Sequence, residues 1–110
     1  MSGSLTQGER PGLKEGNLQS YHAEAFERDY KSGFVLLFKT YYAPLCSHAM
    51  RLVHSRQVAE ELVSEVFYQF YITQAHKSIT SSYCSYLFGS VRTGCHAYMR
   101  QKFYVAEEFS

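Results

Sequence analysis

From Arg56 to Tyr71 (RQVAEELVSEVFYQFY) the apolar side chains recur with a helical beat. Ala59, Leu62, Val63, Val66, Phe67 and Phe70 keep the i, i+3, i+4, i+7 spacing that gathers them on one side of a helix. Glu61, Ser64, Glu65 and Tyr68 take the other side, which must meet water or a partner. Ser55 precedes the run, where its hydroxyl can accept an amide of the first turn. Val58 stands where a capping box needs Glu or Gln. Glu60 and Glu61 lie near the start, where the helix dipole favours negative charge.

Upstream, Phe34 to His54 predicts a first long helix, with Phe34, Leu37, Phe38, Tyr41, Leu45, Ala49, Leu52 and Val53 on its apolar face. Pro44 lies inside it and predicts a kink or a short break near Tyr41–Ala43. The short link His54-Ser55 predicts that the two long helices pack antiparallel. Tyr21 to Tyr30 predicts a short leading helix with Phe26 and Tyr30 on one face, ended by a break at Lys31-Ser32-Gly33. Residues 1–20 are rich in Gly and Ser and predict a flexible tail, because they can bury too little to offset their ordering entropy.

Downstream, Thr73 to Thr80 is polar, carries no helical stripe and predicts a loop. Ser81 or Ser82 can cap a third long helix from Tyr83 to about Tyr104. Its inward positions are Tyr83, Leu87, Val91, Cys95, Tyr98 and Met99, and Arg92, His96 and Arg100 form an outward stripe. Gly89 and Gly94 each cost this helix about 1 kcal/mol relative to alanine. No alternating run predicts a strand. The expected fold is therefore all-α, a compact bundle of three main helices and a short leading one, with 21–110 as a single helical domain.

Charge changes the picture because it is unevenly spread. The net charge is only +1, which argues against indiscriminate nucleic-acid binding. Yet no Asp or Glu occurs from Val66 to Ala106, a segment that holds Lys77, Arg92, Arg100 and Lys102. Three cysteines, Cys46, Cys84 and Cys95, cannot all pair within one chain, and the N-terminus lacks the apolar core of a secretion signal. Reduced thiols in a cytoplasmic protein are expected. No apolar run is long enough to span a bilayer.

Candidate chemistry is sparse. Cys46, His48 and His54 do not converge on one side of a helix, and Cys84 and Cys95 are three turns apart, so no metal site or cofactor is expected. Cys95 and His96 are adjacent and diverge around a helix, which excludes a nucleophile–base pair. Glu60, Glu61 and Glu65 read as a solvated face, and no enzyme activity is expected. Ten tyrosines and eight phenylalanines remain to be explained. They either fill the core or, interleaved with Lys77, Arg92, His96 and Arg100, offer stacking surfaces beside phosphate-binding groups. Composition leaves both readings open.

The run YYAPLCSHAMRLVHSRQVAEELVSEVFYQFY resembles the second conserved region of bacterial sigma factors of the extracytoplasmic-function group. After the loop, Tyr86 to Arg100 (YLFGSVRTGCHAYMR) is similar to the segment that follows in that family. The resemblance covers about Phe34 to Lys102, with both motifs in the family's order. It implies promoter −10 recognition and melting, with binding to core RNA polymerase. The family's AEDLvQEvF helix docks on the clamp helices of the largest polymerase subunit, and the matching exposed positions are Glu61, Ser64 and Glu65. The following loop and helix capture a flipped base and hold the melted strand of −10 DNA. That implies roles for Gln74, His76, Lys77, Tyr83, Tyr86, Arg92, Thr93, His96 and Arg100. An anti-sigma factor is a further implied partner.

The chain departs from the family at Glu61 (usually Asp), Ser64 (usually Gln), Tyr71 (usually Trp), Thr93 (usually Asn) and Ala97 (usually Asp). The family's second helical domain, which reads the −35 element, has no counterpart expected in these residues. The altered Ser64, Thr93 and Ala97 motivate an alternative, a sigma-like helical protein-interaction module that has lost DNA binding.

Overall fold

The computed structural model describes residues 15–108. Every regular element among them is helical, so the chain is all-α as expected. The elements are α1 (Glu15–Arg28), α2 (Tyr30–Val53), α3 (Arg56–Thr73), a 3-10 turn at Ala75–Lys77, and α4 (Tyr83–Glu108). The chain falls into two compact units, one up to Leu37 and one from Phe38. The division lies within α2.

In the first unit, α1 begins at Glu15, upstream of the expected Tyr21. Glu15–Ser20 is thus helix rather than tail, and the rest of the tail expectation, residues 1–14, lies outside the described residues. The stripe that extends the helix is Leu18, His22, Ala25 and Phe26. A histidine letter at its centre concealed it. His22 is completely buried and hydrogen-bonded to the backbone of Leu18 and Leu36. Burial pushes its pKa below the ordinary 6.5, more than those hydrogen bonds raise it.

The expected break at Lys31-Ser32-Gly33 is instead the first turn of α2. Only Asp29 separates the two helices. Its carboxylate accepts the Ser32 amide at 3.0 Å and the Ser32 hydroxyl at 2.7 Å, which caps α2. Those bonds hold the Asp29 carboxyl below its usual range. Gly33 is there for clearance. A Cβ on it would come within 2.6 Å of the Phe26 ring and 2.8 Å of the Phe26 backbone, so Phe26 packs directly on a bare helix turn.

In the second unit, α2 runs unbroken past Pro44 to Val53. Pro44 is exposed, while Leu45, Ala49 and Val53 are buried and secure the turns beyond it. The ring therefore costs a backbone bond on the water side without ending the helix, so of the expected kink or short break the break is absent. His54 (φ 58°) and Ser55 (φ −151°) then reverse the chain, and Ser55 Oγ accepts the Val58 amide at 3.2 Å. α2 and α3 are antiparallel: Phe38 meets Phe67 edge-to-face at 4.9 Å, and Tyr42, one turn on, reaches back to Ser64.

α4 returns along α3. Phe70 contacts the rings of Tyr83 and Tyr86, and farther along α4 Gly94 lies beside Leu62. His48 of α2 meets Phe88 of α4 at 5.3 Å, so each of these helices touches the other two. Ala59, Val63, Phe67, Phe70, Leu87, Val91 and Cys95 fill the space between them, while Leu62, Val66, Tyr98 and Met99 are half-buried. Burying a Phe or Leu contributes about 1.5–3 kcal/mol each.

The expected loop after α3 is more ordered than its polarity suggested. Gln74 takes the left-handed conformation (φ 52°) and its amide donates back to the Phe70 and Tyr71 carbonyls. The 3-10 turn follows, with Ala75 buried. Ser82 is the residue that caps α4, its Oγ accepting the Ser85 amide at 3.0 Å.

Candidate functional site

Two exposed faces of the second unit carry the residues singled out by sequence. On α3, Glu61, Ser64 and Glu65 are all exposed. With Glu60 they line a shallow, open depression between the rings of Tyr42 and Tyr68. Neighbours hold its acidic side chains. Gln57 donates to Glu61 at 3.4 Å, Gln69 donates to Glu65 at 3.0 Å, and Arg56 pairs with Glu60 at 3.6 Å. The last is a surface pair, of the kind worth about 0.3–0.5 kcal/mol. Tyr42 bonds both Cys46 and Ser64; burial and the Cys46 contact push its phenol pKa up against the opposing Ser64 hydroxyl.

The second face is a strip along α4. At 100° per residue, Tyr86, Thr93, Arg100, His96 and Arg92 fall within about a third of the helix circumference, and all are exposed. Tyr86 to Arg100 spans about 21 Å at 1.5 Å per residue. Near its start, Ser85, Tyr86, Gly89, Ser90, Arg92 and Thr93 line a second shallow depression. A Cβ built on Gly89 would meet nothing within 4 Å, so internal packing does not require this glycine. Among the described residues, no carboxylate pairs with Arg92, His96 or Arg100.

Tyr83 does not belong to this strip. It is 6% exposed and its ring lies edge-on to Phe70, so it takes the inward place that helical spacing gave it. Its position, in line with Leu87 and one turn before it, puts it on the buried side. In the turn after α3, Gln74 and Lys77 are exposed and His76 is half-buried. Burial, and then the charge of Lys77, push the His76 pKa below 6.5, so its ring is neutral at neutral pH.

Three contributors were not singled out for either face by sequence. Tyr42 adds an aromatic wall to the acidic depression from another helix. His48 and Arg51 bring α2 to the edge of the α4 strip: burial, then Arg51 and Arg92, lower the His48 pKa. Helical spacing assigns Arg51 only to a solvated side. The contact of α2 with α4 supplies its neighbour, and no pattern within one helix signals that.

No group of three or more His, Cys, Asp or Glu side chains able to hold a metal ion occurs among the described residues. Burial raises the thiol pKa of Cys46 and Cys95, which keeps them protonated and poorly nucleophilic. No helix is long and apolar enough to cross a membrane among the described residues. No family model matches the chain, and neither a curated protein nor a solved structure does.

Proposed function

We propose that the second unit is a promoter-opening, polymerase-binding module similar to region 2 of an extracytoplasmic-function sigma factor. The acidic face around Glu61, Ser64 and Glu65 addresses core RNA polymerase. Gln74, His76 and Lys77, with Tyr86, Arg92, Thr93, His96 and Arg100, hold an unpaired −10 strand. The work is binding and not catalysis. Unstacking a base costs a few kcal/mol, and a surface that receives the base offsets part of that cost.

The observation that carries this reading is the shape of the basic face: an exposed strip of about 21 Å, with an aromatic ring near one end and cations without carboxylate partners spaced along it. A strip of that form suits a linear anion with flat bases better than a compact ligand. The two sequence motifs support it by assigning the acidic and basic faces to the two helices that carry them. Capture of core RNA polymerase by the purified protein, lost on reversing Glu61 and Glu65, tests one half. Salt-dependent binding of −10-like single-stranded DNA tests the other.

A second reading rests on Ser64, whose hydroxyl is engaged by Tyr42. With Thr93 and Ala97 also altered, the chain then serves as a helical protein-interaction module. Polymerase or protein binding without any affinity for single-stranded DNA would favour it.

A further inference from the structure

His48 of α2 meets Phe88 of α4 with ring centroids 5.3 Å apart. Each helix is antiparallel to α3, so α2 and α4 run parallel. About one turn beyond this contact, α2 carries Arg51 and α4 carries Arg92, three and four residues on, so at about 1.5 Å of rise per residue they lie at nearly the same level. Both arginines are exposed, and no carboxylate pairs with either among the described residues. The half-buried ring of His48 lies within reach of the charge of both. Both guanidinium groups act by their charge on His48. Like charges gathered on one ring repel, and an anion between them relieves that repulsion while using the donors of both.

We infer that Arg51 and Arg92, over His48, form a two-helix clamp for one backbone phosphate of a nucleic-acid strand. This rests on the strand-binding reading of α4 and extends its track onto α2. Arg92 lies at the α2 edge of the α4 strip, so a strand that leaves the strip there passes over Arg51. The clamp also couples binding to protonation. The charged groups facing His48 are Arg51 from its own helix and Arg92 from α4, and both disfavour its protonated form. A bound phosphate offsets them, so the His48 pKa rises in the complex and the affinity gained appears as pH falls through its range.

Binding of a dye-labelled, single-stranded DNA of about 12 nucleotides, followed by anisotropy between about 50 and 200 mM salt, tests the clamp. R51Q is expected to weaken binding several-fold and to lower the salt slope by roughly 0.7, the share of one neutralised phosphate, whereas R51K retains most of the slope. R28Q, in α1, is the control and is expected to change neither. DNA is expected to raise the His48 pKa in an NMR titration of the parent and not of R51Q. If R51Q binds like R28Q while R92Q and R100Q lose affinity, the clamp is wrong and the α4 strip stands. If DNA leaves the His48 pKa of the parent unmoved, the clamp is likewise wrong. If the parent binds no strand at all, both fall together.

Discussion

The exposed side of α3 and the exposed side of α4 differ in more than sign. On α3 the acidic groups are already held: Gln57 on Glu61, Gln69 on Glu65, Arg56 on Glu60, and Tyr42 on Ser64. On α4, no carboxylate among the described residues pairs with Arg92, His96 or Arg100. Arginine has about 2 kcal/mol of rotamer entropy to lose on being fixed. A partner of α4 must supply the interactions that order those side chains, which suits a phosphate chain that is itself flexible. A partner of α3 meets a surface arranged beforehand, which suits a rigid folded protein. The two faces thus differ in preparation as well as in charge.

The harshest way to break the contrast is to remove what both faces stand on. Leu87 is fully buried between α4 and its neighbours. Leu87→Ala is expected to cost about 2–5 kcal/mol, a large part of a small domain's stability, and to weaken polymerase and strand binding together. A thermal melt matching the parent would show the core of this unit to be placed wrongly.

Reversing Glu61 and Glu65 to lysine should separate the faces. Stability is expected to change by no more than about 0.5 kcal/mol for each exposed site, and polymerase capture is expected to be lost. Strand binding should persist. Circular dichroism, a pull-down and an anisotropy titration on the same sample report the three quantities.

The complementary change, Arg92→Ala with Arg100→Ala, is expected to spare polymerase capture. It should flatten the dependence of log affinity on log salt by roughly 0.7 for each phosphate that the variant no longer neutralises. Salt-insensitive binding equal to the parent's would remove the strand from α4.

The gentlest effect lies away from both faces. His22 is buried with its pKa below 6.5, so the unfolded chain takes up the proton first. Stability is then fully present above about pH 6.5 and declines as pH falls through the lowered value. His48 and His76, also lowered, act with the same sign. Urea unfolding at about pH 7 and pH 5 should show the decline, and H22Q should remove His22's share of it.

Much of this was legible in the sequence, and the failures have physical causes. The buried and exposed sides of α3 and α4 follow directly from the spacing of Ala59, Val63, Phe67, Phe70, Leu87, Val91 and Cys95, because each helix packs through one apolar stripe. The start of α1 was hidden because a histidine, polar by letter, fills a core position. Gly33 read as a break because glycine's other use, yielding space to a ring, depends on where Phe26 goes. Tyr83, inward by spacing, packs edge-on to Phe70. Arg51 could not be placed from its own helix at all. It shares His48 with Arg92 only because α2 and α4 meet at His48 and Phe88.

α4 is one helix with two mechanical regimes. Tyr83, Leu87, Val91 and Cys95 anchor its first half, whereas every residue from Gln101 to Glu108 is exposed, Phe103 and Tyr104 by 61% and 60%. Amide hydrogens near Val91 can exchange only when the packed helices open, but those beyond Arg100 need only the local unwinding of a turn. Deuterium uptake should therefore rise steadily along a single unbroken helix. A partner that covers its outer turns would announce itself by erasing that gradient.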